Sequence, residues 1–226
     1  AKRIPCVVVS RSLAPTPEMV DVLEQAGVPL FRTPLSSKAF TTEVTVLLEE
    51  RFAPRTSLHG TLLEIRGVGT LIRGSSGAGK SEAALALIER GHSLVADDLV
   101  KVKLLSDHTP IGFCDPLSRG FMECRGIGII NVEKLFGNRF VRIEKRIDLV
   151  VTLIEEAANA EPDRTGLDRK YYEILGFDVP QMEIPVRTGR DIARLIEVAA
   201  MVQAARQFGY DSADDLNEKL LKKMKY

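Results

Sequence analysis

A chain of 226 residues is long for one ordinary domain and short for two large ones, so a main domain with a smaller companion is expected. Apolar residues at 45% and charged residues at 27% give a globular balance, while 31 basic against 31 acidic residues leave no net field to attract nucleic acid or an anionic membrane. The 3 cysteines, Cys6, Cys114 and Cys124, contain no CxxC pair, which excludes a disulfide framework and a cysteine-rich metal site and suits a reducing cytoplasm. No apolar run approaches the roughly 20 residues that span a bilayer.

The chain opens on Ala1, and Lys2 to Ser10 lacks the apolar core and cleavage site of a signal peptide, so it reads as a fragment lacking upstream sequence. A strand is expected at Cys6 to Ser10, then a helix with Thr16 as N-cap and Pro17 at its first position, ending at Gly27. A strand near Val28 to Arg32 follows, then a helix from Thr41 or Thr42 that stops before Ala53-Pro54. Residues 1–55 are read as a small, partial α/β domain and 56–226 as the main one, with Pro54 to Ser57 as the linker.

From Leu58 the texture becomes strand runs punctuated by glycine. Strands are expected at Thr61 to Arg66 and Gly69 to Arg73, then a glycine-rich loop, a helix from Ser81 to about Arg90, and a strand at Ser93 to Val95 ending in Asp97-Asp98. Further strands are expected at Val100 to Leu105, Phe140 to Ile143 and Asp148 to Leu153, and a long helix at Asp191 to Phe208. A final helix is expected with Ser212 as N-cap and its lysines toward the C-terminus, where cations suit the dipole.

The run Gly74-Ser75-Ser76-Gly77-Ala78-Gly79-Lys80-Ser81 satisfies G-x-x-x-x-G-K-[ST]. In that pattern glycines let backbone N–H groups wrap a phosphate, the lysine reaches the β- and γ-phosphates, and the hydroxyl ligates Mg²⁺. A phosphoryl-transfer site of this kind needs an acid to hold Mg²⁺ or its waters. Two places supply one, Asp97-Asp98 and Glu155-Glu156 after Leu149 to Ile154, and the aspartates are favoured because they lie nearer the loop in sequence.

Met122 to Asn131 alone reads as a turn and strand with an acid and a base beside two glycines. Pro185 to Arg190 brings Arg187 and Arg190 to a helix start, which reads equally as a phosphate cradle or a basic loop with a helix cap. His59 by itself reads as structural, and no His/Cys cluster has zinc spacing.

Taken together, His59-Gly60, Gly74 to Ser81, Arg90-Gly91-His92-x-Leu94-Val95-Ala96-Asp97-Asp98, Glu123 to Asn131, Asp163-Arg164-x-Gly166-Leu167 and Pro185 to Arg190 resemble the HPr kinase/phosphorylase family. The resemblance covers roughly Leu58 to Gly209 and implies ATP-dependent phosphorylation of a serine in HPr, with a reverse phosphorolysis that consumes phosphate and releases pyrophosphate. It implies His59, Lys80, Asp98 and Arg164 as the catalytic set, Asp98 as proton acceptor and donor, and Ser81 and Glu123 on Mg²⁺.

Met122 to Asn131 would serve mainly the kinase reaction and Pro185 to Arg190 mainly the phosphorylase reaction. Cys124, Thr188 and Asp191 depart from the family pattern, the last two around the arginine loop. The resemblance further implies a homohexamer, a cytoplasmic enzyme of carbon metabolism, and a phosphoenolpyruvate-carboxykinase-like α/β fold with a mixed central sheet. The alternatives are a small-molecule kinase, which would carry an arginine-rich lid, and a nucleotide-dependent switch, which needs no general base.

Overall fold

A computed structural model describes residues 4–105, 107–155, 168–187 and 189–224. The chain divides into two compact units, Ala1–Ala53 and Pro54–Tyr226.

In the first unit β1 (Val7–Val9) pairs in parallel with β2 (Leu30–Arg32) around α1 (Pro17–Gln25), and α2 (Ser37–Phe52) follows. Thr16 caps α1 as expected, its hydroxyl accepting from Met19 N–H. The second helix starts four residues before Thr41, because Ser36 Oγ accepts from Ala39 N–H and so caps an earlier turn.

The second unit opens with β3 (Arg55–His59), which replaces the expected linker at Pro54 to Ser57. The segment is a strand because a partner claims it: β3 pairs with β7 (Leu99–Leu104), joined further by β8 (Pro110–Phe113) and β11 (Glu144–Arg146) in an antiparallel sheet of order β11-β8-β7-β3.

Beside it lies a six-stranded mixed sheet that contains β4 (Thr61–Ile65), β5 (Val68–Gly74), β6 (Ser93–Ala96), β12 (Leu149–Glu155), β13 (Lys170–Ile174) and β14 (Phe177–Val186), in the order β13-β14-β12-β5-β4-β6. The β12 strand runs parallel to both β5 and β14, and the other pairings are antiparallel. The expected mixed α/β sheet is present.

A hairpin of β9 (Phe121–Cys124) and β10 (Gly128–Asn131) leads into α4 (Val132–Phe136). The expected strand at Phe140 to Ile143 is instead a 3-10 turn at Asn138–Phe140 and a single bridge from Val141 to Leu94, since the buried Phe140 ring anchors the turn in the core.

Alternation along the central strands separates two cores. Leu63, Ile72, Val151 and Leu153 face α3 (Lys80–Glu89) and α5 (Ile192–Gln207), which contribute Ala84, Leu87, Ile88, Ile196 and Ala200. Leu62, Leu71 and Val150 face the second sheet, meeting Val100, Val102 and Ile147.

Buried Asp148 ties both layers at the end of the sheet far from the glycine-rich loop, accepting from Gly69 N–H at 2.8 Å and from Gln207 Nε2 at 3.1 Å. The last helix, α6 (Ser212–Met224), is capped one residue earlier than expected: Asp211 Oδ1 accepts from Ala213 N–H at 2.9 Å, so Ser212 is already helical.

Candidate functional site

The glycine-rich loop links the end of β5 to the start of α3, the strand, loop and helix arrangement that its sequence requires. Gly74 has φ +155 and lies against β12, where an added Cβ would come within 2.9 Å of Leu153 O. Gly77 and Gly79 have φ of +83 and +85, and Gly79 stands at the N-cap of α3. These dihedrals give the loop its tight turns just ahead of the start of α3, where the helix dipole favours an anion. Lys80 Nζ folds back across the loop, donating to Gly74 O at 3.0 Å and Ser75 O at 2.9 Å, and Ser81 occupies the first turn of α3.

Parallel pairing brings three strand ends to one edge. Gly74 registers with Leu153 of β12, and Glu155 registers with Val186 of β14. Glu155, the second acid considered from sequence, therefore stands on the same edge as the loop, as do Arg187 and Arg190, about two strand spacings or ~10 Å from β5. Arg190 Nη1 donates to Pro185 O at 3.5 Å, and Asp191 caps α5 through Arg194 N–H while pairing with Arg90 at 2.8 Å. A cleft of about 1120 Å³ opens between β14 and α5, beside Arg187 and Arg190, and is lined also by Ile154, Met182, Val198 and Gln203.

The aspartate pair sits on the other flank, in the turn between β6 and β7. Leu99 N–H donates to Asp97 O at 2.7 Å, closing a three-residue turn in which Asp98 adopts φ +61. A non-glycine residue in that region is uncommon and marks a shape the surroundings impose. Gly60 N–H donates to Asp98 O at 3.0 Å, which holds His59, at the end of β3, beside the turn. Gly60 is required there, because a Cβ at its φ of +153 would lie 2.5 Å from Ile72 O.

The two aspartates differ. Asp98 is exposed, whereas Asp97 is half-buried and its carboxylate is engaged by Thr61 Oγ1 at 2.7 Å and Glu123 N–H at 3.1 Å. Burial pushes the Asp97 carboxyl above the ordinary aspartate range, against the lowering effect of those two hydrogen bonds.

The hairpin of β9 and β10 carries Glu123, exposed on its outer face and paired in register with Ile129. Its inner face buries Met122 and Cys124 against α3. Burial raises the Cys124 thiol above its usual range, and the neighbouring carboxylates of Asp97 and Glu82 raise it further, which records how closely β6, β9 and the first turn of α3 converge.

Sequence reasoning passed over three contacts that only the fold creates. Arg125, in the hairpin turn, puts Nη1 and Nη2 within 3.8 Å of where a Cβ on Gly77 would lie, so a guanidinium overhangs the loop. Thr61 holds Asp97. Arg73 stacks over Tyr172 at 4.3 Å and donates from Nε to His59 O at 3.4 Å. Arg125 lies within the signature at Glu123 to Asn131, and its positive charge two residues after Glu123 is the signal in the sequence that points to it.

His59, Lys80, Ser81, Asp98 and Glu123 thus belong to elements that meet around one loop. Arg164 lies outside the described residues, as do Asp163, Gly166, Leu167, Glu156 and Thr188. Among the described residues no group of three His, Cys, Asp or Glu side chains is placed to hold a metal by itself. Ser81 and Glu123 nonetheless fit Mg²⁺: they offer hard oxygen donors, and that ion takes one or two protein ligands and completes its shell with phosphate and water. No helix among the described residues is long and apolar enough to cross a membrane.

A mixed α/β sheet that ends in a glycine-rich loop ringed by lysine, serine and acids defines a phosphate-handling enzyme class. Residues 50–220 match the model described as HPr Serine kinase C-terminal domain, and residues 1–48 match HPr Serine kinase N terminus. The chain is 44% identical over 217 residues to the HPr kinase/phosphorylase of Leptospira biflexa, covering 95% of this chain and 67% of that one. It is 43% identical over 223 residues to the HPr kinase/phosphorylase of Caldicellulosiruptor bescii, covering 99% and 72%.

The solved structure of the Hpr(Ser) kinase/phosphatase from Coxiella burnetii superposes with a TM-score of 0.64 at 35% identity, over 72% of this chain and 99% of that chain. The chain belongs to the HPr kinase/phosphorylase family.

Proposed function

We propose that this chain is a bifunctional serine protein kinase and phosphorylase acting on HPr. The observation that carries the reading is the placement of the exposed Asp98, in its imposed turn after β6, on the sheet edge where β5 runs into the loop at Gly74 to Ser81, inside a family whose members carry that name. ATP is the phosphoryl donor. The N–H groups of the loop and Lys80 bind its phosphate oxygens, and Arg125 adds positive charge above them.

Mg²⁺, held by Ser81 and Glu123, would neutralise charge on the transferring phosphoryl group. Asp98 accepts the proton of the attacking serine hydroxyl, which makes the oxygen nucleophilic as the bond to the γ-phosphoryl group forms and ADP leaves. His59, tied to the Asp98 turn through Gly60, and Arg164 complete the catalytic set.

In the reverse reaction protonated Asp98 returns the proton to the departing serine oxygen while inorganic phosphate takes the phosphoryl group as pyrophosphate. The same loop serves ATP and pyrophosphate because it reads phosphate oxygens and not the base. Arg187 and Arg190 hold the attacking phosphate. A phosphoenolpyruvate-carboxykinase-like core, a homohexamer and a cytoplasmic role in carbon metabolism complete the reading.

The test is a two-stage assay. The protein is incubated with HPr, ATP and Mg²⁺, and the phospho-HPr formed is returned to it with inorganic phosphate. Seryl phosphorylation in the first stage and pyrophosphate in the second are expected. Absence of both redirects the assignment to a small-molecule kinase.

A further inference from the structure

Asp97 and Asp98 are adjacent carboxylates beside a phosphate loop, and the structure gives them different surroundings. Asp98 is exposed, while Asp97 uses one oxygen on the buried Thr61 hydroxyl at 2.7 Å and the other on the backbone N–H of Glu123 at 3.1 Å. Each oxygen of Asp97 therefore carries a hydrogen bond inside the protein.

The second bond crosses from the central sheet to the hairpin, and it lands on the residue that carries the outward-facing carboxylate. Two residues further on, the same hairpin turn carries Arg125 over Gly77. Thr61, at the start of β4 and paired with Ile72 of β5, anchors the other end of the link to the strand that leads into the loop.

We infer that Asp97 is a positioning residue: its carboxylate clamps the hairpin of β9 and β10 to the sheet, and so sets where Glu123 and Arg125 stand above the glycine-rich loop. The clamp acts on the reaction only through those two side chains. This rests on the reading of the loop as a nucleotide site, but the clamp itself is a statement about the hairpin and is measurable without turnover.

The chemistry of the substitutions differs usefully. Asp97→Ala removes both acceptors. Asp97→Asn keeps one oxygen for the Glu123 N–H and turns its NH₂ toward the Thr61 hydroxyl, which can accept, so it removes the acceptor's charge and not the bond. Thr61→Val leaves the bond to Glu123 intact and loosens only its anchor.

The test combines hydrogen exchange of the segment 121–131 with the Mg²⁺ concentration that half-saturates HPr phosphorylation. Asp97→Ala is expected to speed exchange at Glu123 and along the hairpin roughly tenfold, the loss of one hydrogen bond to a charged acceptor, and Asp97→Asn by a smaller factor, the loss of the acceptor's charge alone. Exchange in α5 should stay unchanged. The half-saturating Mg²⁺ concentration should rise severalfold, and Thr61→Val should produce the same pattern at smaller size.

Should Asp97→Ala not fold, Asp97→Asn and Thr61→Val carry the measurement. Unchanged hairpin exchange in the Asp97 variants overturns the inference, and so does faster exchange with an unaltered Mg²⁺ requirement. If the unaltered protein fails to phosphorylate HPr, the functional reading falls while the exchange data still decide whether the clamp exists.

Discussion

The loop at Gly74 to Ser81 has two flanks, and they are built differently. On the acid flank Asp97, Asp98, Gly60 and Glu123 are held by hydrogen bonds between strands, several from buried or half-buried partners. On the arginine flank the α5 start is held by its own N-cap, Asp191, and by the pair Arg90 with Asp191, whose side chains are 34% and 50% exposed. Exposed pairs contribute little, whereas a buried polar group left without its partner costs more. One flank is therefore held by specific hydrogen bonds between strands, and the other is an exposed, charged rim.

The largest effect is expected at the loop both flanks share. Lys80→Ala should lower both phosphorylation and phosphorolysis on the order of a thousandfold by removing a preorganised cation, as read by steady-state rates with HPr and phospho-HPr. Next comes the arginine rim. Replacing Arg187 and Arg190 with alanine should lower phosphorolysis about tenfold while changing the kinase rate little, the worth of a charge-assisted hydrogen bond to phosphate. Equal loss of both reactions would remove the functional division between flanks.

Two glycines compare the flanks in stability alone. Gly60→Ala forces a Cβ to within 2.5 Å of Ile72 O and should cost more than about 2 kcal/mol in denaturant unfolding. Gly189→Ala, at φ +82 with nothing within 4 Å, carries only local strain of about 1 kcal/mol. Similar costs at the two sites would erase the contrast.

The smallest effect is a pH dependence behind the arginine flank. Burial lowers the His92 pKa from 6.5, outweighing Glu197, whose Oε1 lies 3.3 Å away, while Arg66 and Arg90 lower it further. The native state then resists a proton that the unfolded chain accepts, so stability should be full above about pH 6.5 and decline as pH falls below it. His92→Gln should flatten that decline in thermal melts at pH 5 to 8.

The site was legible where chemistry is local. The glycine spacing, Lys80 and Ser81 declare the loop, and the Asp97-Asp98 run ends a strand that forms where expected. What pairs with what was not legible. Pro54 to Ser57 reads as a linker because its short run gains strand character only from β7, and the three-residue turn that presents Asp98 depends on Gly60, at the bend between β3 and β4.

The order that puts β12 between β5 and β14, and so brings Glu155 and Arg187 to the loop's edge, follows from parallel pairings between segments far apart in sequence. Arg125 over Gly77 likewise exists only once the hairpin is folded against α3.

The most direct test of the account is Asp98→Asn, assayed for seryl phosphorylation of HPr alongside the equilibrium binding of ATP. The account predicts a rate lowered by about 10²- to 10⁴-fold with ATP binding retained, since a general base is lost and the phosphate loop is untouched. Phosphorylation at the rate of the unaltered protein would contradict it.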